Sequence, residues 1–359
     1  MRMAGLGSAR QYGYSSARAN AMKSKLLSSK TIEEVAASKD VQSAVAILFE
    51  KDYKSDIEEF GGLKIKSDLM DFALSRNLAR NFLKLVRLAR GNDRKTIQAI
   101  VGKWDLYNIR LAIEAKSRKR PFESISKYLI NLGMYNATVI KEAMREESVE
   151  GTLSKLMINS PYKAMLSAAA EAYKKNRSSL ESVSALDKDY YLYLGSMAMA
   201  LKNSSEGRET SYMLRMELDV RNILTMVRGK RLSMKFGEIQ GLLVDKGNIS
   251  IASLEKMYSG AKDVDEMVSQ LKTFDISLAL ERYKKDPHKQ LITIEMGLRG
   301  SMLSKGMRML GHKILSFGTI LAYVYMKEYE ISTLRVLING KAYGLEKDEA
   351  GRLIGWKGR

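Results

Sequence analysis

The chain contains no cysteine, only two histidines and only three prolines among its 359 residues. The absence of cysteine excludes disulfides, thiolate metal sites and thiol nucleophiles, and it suits a reducing cytoplasm. Two histidines are too few for most metal-binding or catalytic-triad chemistry. The composition therefore predicts a protein without a catalytic site, a metal site or a bound cofactor.

Long hydrophobic runs are also lacking. The longest apolar run, Ile314 to Met326, spans about 13 residues, whereas a membrane-spanning helix needs roughly 20. The amino-terminal segment has no apolar core of the kind found in secretory signals. Leu, Ala, Met, Lys, Glu and Arg, which favour helices, are abundant. We therefore expect an all-α protein that does not cross a membrane.

Acidic residues are outnumbered by basic residues, 41 to 60, which gives a formal net charge of +19. A charge of this size favours an acidic partner, which could be nucleic acid, an anionic lipid surface or an acidic protein surface. The alternative interpretation is a solvated basic surface without a specific partner.

One helical pattern occurs three times without gaps, at Trp104–Lys116, Leu218–Lys230 and Tyr329–Lys341. Each copy carries an acid, then Asn or Thr three residues later, and Lys eleven residues after the acid. These positions are Asp105, Asn108 and Lys116; Asp219, Asn222 and Lys230; and Glu330, Thr333 and Lys341. A small residue precedes each Lys. The pattern indicates an internal triplication.

The spacing of the copies indicates domain-sized repeats. The acids lie 114 and 111 residues apart, and a second marker beginning Tyr-Lys recurs at Tyr53, Tyr173 and Tyr283 in the same order. We predict three helical repeat units, 1–120, 121–235 and 236–346, followed by a short basic tail, 347–359. Repeats of this length are domains, which argues against a solenoid of short repeats.

The repeated motif favours a structural role over a catalytic one. At 100° per residue, the aliphatic residues one, four and eight positions after the acid form a narrow stripe, and the polar residues flank it. The acid near one helix end and the Lys near the other also match the helix dipole. We expect these polar residues to bond neighbouring helices or their caps. A cation site built from three symmetry-related acids is the less favoured alternative.

Basic residues cluster after the motif. The first copy is followed by Arg118, Lys119 and Arg120, and the second includes Arg228 and Arg231 beside its Lys. If the units have pseudo-threefold symmetry, these clusters share one rim. In the amino-terminal helix, Arg18 and Lys23 could contact a partner, although ordinary packing on the first unit is the alternative. We predict all seven residues as candidate partner-binding positions.

The order and spacing of these motifs resemble the C subunit of the archaeal (A-type/V-type) ATP synthase, a family that includes the d subunit of the vacuolar-type proton pump. The resemblance is carried by the amino-terminal YGYSSARANAMKSKLLS, by the three motif helices and by the terminal KEYEISTLRVLINGKAYGL. It covers essentially the whole chain. The sequence departs from the family at Ser332-Thr333, where an Asn usually precedes the Leu-Arg pair. That departure concerns the local cap or helix contact in the third unit.

The resemblance implies three similar helical domains in a pseudo-threefold, funnel-shaped arrangement. It implies a peripheral protein on the cytoplasmic face of the membrane, with the proteolipid ring and the central-stalk subunits as partners and an anionic membrane surface as a possible contact. The implied function is a non-catalytic rotor adaptor in ATP synthesis coupled to proton or ion transport. Torque would pass through this subunit, while nucleotide and proton chemistry take place in others.

Two other classes remain as alternatives. An enzyme is disfavoured because GLGSARQYG at Gly5 has Arg10 where a dinucleotide-binding motif needs Gly, and no HExxH or phosphate-binding loop occurs. A basic all-helical nucleic-acid-binding protein is permitted by the charge, but no zinc motif or RNP-like aromatic pair accompanies it. We therefore predict neither a nucleic-acid partner nor a small-molecule substrate.

Overall fold

The structure, a computed structural model, describes residues 4–89, 91–202, 207–286, 288, 290–310 and 316–344. The side chains of residues 4–12, 92 and 310 are excluded from the description. Regular secondary structure in these ranges is helical throughout, which confirms the all-α prediction. None of the helices described combines the length and apolarity needed to cross a membrane. The predicted tail, 347–359, lies outside the described residues.

The helices follow one another in three similar series, each ending in a motif helix. The first series is α1 (Ala4–Lys23), α2 (Ser29–Ala37), α3 (Val41–Phe49), α4 (Lys54–Glu59), α5 (Ser67–Leu88) and α6 (Gly91–Ser117). The second is α7 (Glu123–Ser126), α8 (Ala137–Ala143), α9 (Val149–Leu156), α10 (Lys163–Asn176), α11 (Ser179–Leu201) and α12 (Gly207–Arg231). The third is α13 (Phe236–Gln240), α14 (Ile251–Gly260), α15 (Val264–Ser269), α16 (Ser277–Lys285), α17 (Leu291–Leu310) and α18 (Phe317–Ala342).

Packing divides the described residues between two compact units. One lies within Met1–Leu78 together with Ala198–Arg359, and the other is Ala79–Met197. Motif helices α12 and α18 belong to the first unit and α6 to the second. These units record which segments pack together. The division of the sequence into three repeats at residues 120 and 235 stays a prediction.

The apolar stripe of each motif helix is buried, as the spacing predicted. The nine aliphatic residues concerned are Leu106, Ile109 and Ile113; Val220, Ile223 and Val227; and Ile331, Leu334 and Ile338, none of which is more than 3% exposed. Full burial of one aliphatic side chain contributes about 1.5–3 kcal/mol. The stripe therefore anchors each motif helix in the core and fixes the direction in which its polar residues point.

All three motif helices end in the same way. The residue three positions after the motif Lys has positive φ: Lys119 at 54°, Ser233 at 57° and Gly344 at 73°. After α6, the N–H of Arg120 donates to the carbonyl of Ala115, and after α12, Met234 donates likewise to Gly229. This is the Schellman arrangement, which satisfies the last carbonyls of a helix. The motif Lys therefore lies in the last turn of its helix.

Candidate functional site

Each motif helix is hydrogen-bonded to both ends of a short neighbouring helix. We call these three contacts junction 1 (α6 holding α8), junction 2 (α12 holding α14) and junction 3 (α18 holding α2), and we call α8, α14 and α2 the held helices. Junction 1 lies within one compact unit and junctions 2 and 3 lie within the other. The sequence-predicted triplets therefore act separately, each on its own held helix.

The motif acid bonds the amino-terminal side of the held helix. In every junction the donor is the backbone N–H immediately before an N-cap residue, which is Asn136, Ser250 or Ser28. The bonds run from Tyr135 to Asp105 at 2.8 Å, from Ile249 to Asp219 at 3.0 Å and from Leu27 to Glu330 at 2.5 Å. At junctions 1 and 2 the donor lies 30 residues after the acid. The three acids are therefore equivalent in structure as well as in sequence.

The motif Lys bonds the carboxyl-terminal side of the same held helix. Its Nζ donates to a main-chain carbonyl of the last turn or the C-cap. The bonds run from Lys116 to Met144 at 2.9 Å, from Lys230 to Tyr258 at 2.8 Å, and from Lys341 to Ala36 at 2.9 Å and Ser38 at 2.5 Å. In junctions 1 and 2 the carbonyl lies 28 residues after the Lys. Lys230 additionally lies 4.7 Å from the ring centre of Tyr258.

The signs of these charges match the dipole of the held helix. A helix carries partial positive charge at its amino terminus and partial negative charge at its carboxyl terminus. The carboxylate therefore meets the positive end and the ammonium meets the negative end, so the motif helix and its held helix run in the same direction. Each charge is worth about 0.3–1 kcal/mol when exposed and up to about 2 kcal/mol when partly buried.

The motif Asn clamps an irregular segment ahead of the held helix. At junction 1, Asn108 Nδ2 donates to the carbonyls of Ile130 at 2.8 Å and Tyr135 at 2.7 Å, and its Oδ1 accepts from the Ile130 N–H at 2.9 Å. At junction 2, Asn222 bonds both the carbonyl and the N–H of Val244. Both amides are fully buried. Buried backbone groups outside helices need such partners, because an unpaired one costs about 1–3 kcal/mol.

Junction 3 lacks this clamp within the described part of the chain. Thr333 is fully buried, and its hydroxyl has no hydrogen-bond partner among the described residues. The register set by Leu27 and Ala36 places Met22 where the other junctions have Ile130 and Val244. Met22 belongs to helix α1, and its carbonyl already accepts from the N–H of Lys25. The backbone at this point is therefore satisfied without an amide, which explains the departure at Thr333.

Two glycines make room for the aspartates. A Cβ atom at Gly133 would overlap the Asp105 carboxylate, and one at Gly247 would overlap the Asp219 carboxylate. Each glycine lies 28 residues after its aspartate. The corresponding residue of junction 3 is Lys25, and there the acid is the longer Glu330.

Burial is the largest influence on the pKa of both aspartates. Desolvation raises the pKa of Asp105 to about 6, although hydrogen bonds from the N–H groups of Tyr135 and Met134 and from Tyr162 oppose it. Desolvation likewise raises the pKa of Asp219 to about 6, against hydrogen bonds from Ile249 and Asn248 and the charge of Arg215. Both carboxylates are thus held ionised at neutral pH at some cost in stability.

Junction 3 contains a buried ionic cluster instead. Lys327 Nζ lies 2.7 Å from Glu330 Oε1 and donates to the Tyr53 hydroxyl at 3.0 Å, and that hydroxyl donates to Glu330 Oε1 at 2.5 Å. Lys327 and Glu330 are each 2% exposed. Burial, and then the Glu330 charge, raise the pKa of Tyr53 well above its ordinary value. The positions equivalent to Lys327 are Gly102 and Met216, so this cation is specific to junction 3.

The candidate partner-binding residues lie at helix ends and are mostly exposed. Arg118, Lys119 and Arg120 are exposed at the end of α6, and Arg228 and Arg231 are exposed at the end of α12. Arg18 is exposed on α1, whereas Lys23 in its last turn is half-buried. In the part of the chain described, no group of His, Cys, Asp or Glu side chains is arranged to hold a metal ion.

Sequence reasoning missed the residues on the held side of the junctions. These are the two glycines, the caps of the held helices, Tyr53 and Lys327. A signal for the first two groups was present, because Gly133 and Gly247, like Asn136 and Ser250, stand at the same distance after their motif acids. Comparing the residues that follow each motif copy would have revealed them.

Comparison with known proteins shows which family the sequence matches. Residues 15–353 match the family described as ATP synthase (C/AC39) subunit. The chain is 26% identical over 343 residues to the A-type ATP synthase C subunit of Methanococcoides burtonii, covering 95% of this chain and 93% of that protein. It is 24% identical to the C subunit of Thermococcus kodakarensis, with 96% and 90% covered. The C subunit of Thermoplasma acidophilum is 22% identical, with 94% and 96% covered.

Proposed function

The chain belongs to the ATP synthase (C/AC39) subunit family, and we propose that it is a non-catalytic adaptor in the rotor of a rotary ATP synthase. In this role it links the central stalk to the membrane proteolipid ring. The observation that carries the proposal is a family match spanning residues 15–353, supported by C subunits of A-type ATP synthases that align over nearly their full length. Nucleotide and ion chemistry belong to other subunits of the complex.

The junctions supply the stiffness that such an adaptor requires. An element that passes torque must not let its helices slide along one another under load. Each held helix is fixed by a charged hydrogen bond near both ends, so displacement along its axis breaks a buried or half-buried bond in either direction. Charge-assisted bonds of this kind are roughly twice as strong as neutral ones. The acid and the Lys of each motif thereby have a mechanical role.

The exposed basic residues suit acidic partner surfaces. The net charge of +19 exceeds what solubility requires, and exposed arginines and lysines lie together at the ends of α6 and α12. We assign these clusters, with Arg18 and Lys23, to contacts with the proteolipid ring, the stalk subunits or the anionic headgroups around the ring. The protein is then peripheral, on the cytoplasmic face of the membrane.

A pull-down of the tagged full-length chain from detergent-solubilised membranes tests this assignment. We expect proteolipid and central-stalk subunits to be recovered directly, and the nucleotide-hydrolysing subunits through them. The triple variant R118E/K119E/R120E should recover less of at least one partner while keeping its helical circular dichroism. The matched control is K174E/K175E, which reverses two exposed lysines at the end of α10. We expect this control to leave recovery unchanged.

Two results would contradict the proposal. Recovery of neither proteolipid nor stalk subunits would remove the adaptor role. Binding to duplex DNA or RNA, with an affinity that falls steeply with salt, would instead favour the nucleic-acid alternative. Equal recovery by the charge-reversal variant would leave the adaptor role in place and remove the α6 cluster from its interface.

A further inference from the structure

The segment 127–141, which leads into the held helix α8, differs in charge from its equivalent at junction 2. Thirteen uncharged residues stand between a lysine at each end of it. The equivalent segment, 241–255, contains Asp245, Lys246 and Glu255. Both segments are held by the same motif contacts. The local fold therefore does not itself require an uncharged sequence, so the difference needs another explanation.

Three large apolar side chains of the segment 127–141 are exposed. Tyr128 is 41% exposed, Met134 46% and Val139 36%. The equivalent residues at junction 2 are one exposed leucine and two polar residues, Leu242, Asn248 and Ser253. Exposed apolar side chains gathered in one short segment mark an interaction surface. We call these three side chains, together with the lysines at 127 and 141, the loop surface.

The backbone beneath the loop surface already has hydrogen-bond partners inside the protein. Junction 1 bonds both the N–H and the carbonyl of Ile130 and of Tyr135. The side chain of Asn131 accepts from the N–H of Ala137, and Asn136 caps α8. Backbone groups that are paired cost less to move from water into less polar surroundings than groups that depend on water. The segment can therefore approach an apolar boundary at a reduced cost.

The lysines of the loop surface combine positive charge with aromatic contact. Lys127 Nζ lies 5.0 Å from the ring centre of Tyr128, and Lys141 Nζ lies 5.6 Å from that of Phe122. Both lysines are exposed, and no acidic residue lies between them in the sequence. Lysine and tyrosine, which have an apolar body and a polar tip, suit the membrane–water interface, where the tip meets the headgroups.

From these observations we propose that the loop surface binds the headgroup region of an anionic lipid bilayer. Tyr128, Met134 and Val139 enter the interface, and the two lysines pair with lipid phosphates. A protein partner fits less well, because lysine is depleted in protein interfaces and three partly exposed apolar side chains make a small interface core. A fluid headgroup layer accepts such side chains without shape complementarity. The loop surface is not among the partner contacts assigned above, so the proposal goes beyond the adaptor role.

The absence of cysteine allows a paired test with one fluorescent label per protein. Val139→Cys and Ser253→Cys place a thiol at equivalent, exposed positions of α8 and α14. Each full-length variant is labelled with an environment-sensitive dye and mixed with vesicles of phosphatidylglycerol and phosphatidylcholine at about 1:1. We expect the emission from position 139 to shift to the blue and the emission from position 253 to stay unchanged. No shift at position 139, or an equal shift at both positions, would overturn the proposal.

Sedimentation of the unlabelled protein with the same vesicles separates charge from apolar contact. A basic residue near an anionic surface contributes about fivefold to partitioning, so K127Q/K141Q should bind about 25-fold more weakly than the parent. Tyr128→Ser should weaken binding about tenfold, because it removes apolar surface from the interface. Leu242→Ser, the matched variant at junction 2, should bind as the parent does. Unchanged binding by K127Q/K141Q, or equal weakening by Tyr128→Ser and Leu242→Ser, would contradict the proposal.

Failure of this proposal can be told apart from failure of the adaptor role. Recovery of proteolipid and stalk subunits is measured in detergent, where no bilayer is present. The variant Met134→Ser should therefore recover those subunits as well as the parent while it binds the vesicles more weakly. Reduced subunit recovery by Met134→Ser, with no emission shift at position 139 on vesicles, would assign the loop surface to a protein partner and show that the lipid proposal is wrong.

Discussion

Junctions 1 and 2 hold irregular backbone with a buried asparagine, whereas junction 3 has a threonine at that position and a buried ion pair beside it. The acid and the Lys at the two ends are common to all three. The difference depends on the backbone segment that precedes each held helix. Ile130 and Val244 precede their held helices in non-helical backbone, whereas Met22 lies in the last turn of α1 and its carbonyl accepts from the N–H of Lys25.

This comparison separates two functions that one motif combines. The charges at the two ends fix the axis of a helix, which every junction needs. The amide satisfies backbone groups that no helix satisfies, which only two junctions need. A threonine is sufficient at position 333 because the backbone that it faces, at Met22, already has its hydrogen bond. Junction 3 itself is intact. Substitutions on both sides of the junctions can test that explanation.

The largest loss of stability is expected from substituting the glycines that lie against the buried aspartates. Gly133→Ala would place a methyl group against the buried Asp105 carboxylate, which cannot move without losing its backbone bond. We expect a loss of about 3 kcal/mol in the free energy of unfolding, at the upper end for overpacking. Denaturant unfolding can be followed by Trp104 fluorescence in a W356F background, because the chain has two tryptophans.

Two controls accompany the glycine substitution. Gly237→Ala introduces a Cβ that meets none of the described atoms within 4 Å and should change stability little. Lys25→Ala alters the equivalent position of junction 3, where a side chain is already present, and should also be tolerated. A Gly133→Ala variant as stable as the parent would show that the carboxylate is not confined.

Substituting a motif asparagine should lower the free energy of unfolding more than substituting the threonine at the equivalent position. Asn108→Ala leaves two carbonyls and one N–H without partners, so we expect a loss of about 2–3 kcal/mol. Thr333→Val removes a hydroxyl that no described residue bonds, and it should be neutral or stabilising by up to about 1 kcal/mol. Chemical denaturation of both variants checks the contrast. A Thr333→Val variant destabilised as much as Asn108→Ala would mean that the hydroxyl has an essential partner.

The buried aspartates of junctions 1 and 2 should make the free energy of unfolding depend on pH. Because the folded-state pKa of Asp105 is raised to about 6 from 3.8, the folded protein takes up a proton before the unfolded chain does. Protonation therefore favours folding, and this contribution is lost as pH rises through 6. Between pH 7.5 and pH 5 the group should add about 1.4 kcal/mol to the unfolding free energy.

The measurement compares the parent with Asp105→Asn, using Trp104 fluorescence at the two pH values. The variant should lose this share of the pH dependence, because its amide does not titrate. An identical pH profile in the two proteins would show that Asp105 keeps an ordinary pKa.

The smallest loss of stability is expected from the motif lysines. Lys116 and Lys230 are half-buried and each bonds one main-chain carbonyl at the end of its held helix. Replacing either with Met keeps most of the apolar stem and removes the charge, so a loss of about 1 kcal/mol is expected. The loss should be local, raising hydrogen exchange at Ile140 for Lys116→Met and at Leu254 for Lys230→Met. Equal acceleration at both amides in either variant would argue against separate junctions.

Much of this architecture could be predicted from the amino-acid sequence. The period of about 112 residues, the abundance of helix formers and the apolar stripe of Trp104–Lys116 and its two copies predicted an all-α protein with three equivalent helices. Helical periodicity also placed the acid, the Asn and the Lys beside the buried stripe. These conclusions were accessible because they depend on residues close together in one helix.

The partners of those residues were accessible only from the tertiary structure. Periodicity gives the direction in which Asp219 points, but it does not say which backbone N–H meets it. Junctions 1 and 2 bond residues that follow the motif residues by 22 to 30 positions, whereas Glu330 bonds Leu27, which lies 303 positions before it. Helix α18 therefore holds α2, whose N-cap Ser28 directly follows Leu27.

The sequence alone therefore determined the number of motif helices and the face each one buries, since both follow from local spacing. The tertiary structure decided which helix each one holds, that the third junction joins residues 303 positions apart, and why Thr333 can replace Asn there. Those outcomes depend on backbone groups brought together from distant positions, and a main-chain N–H or carbonyl is present in nearly every residue, so the sequence does not show which of them a motif residue bonds.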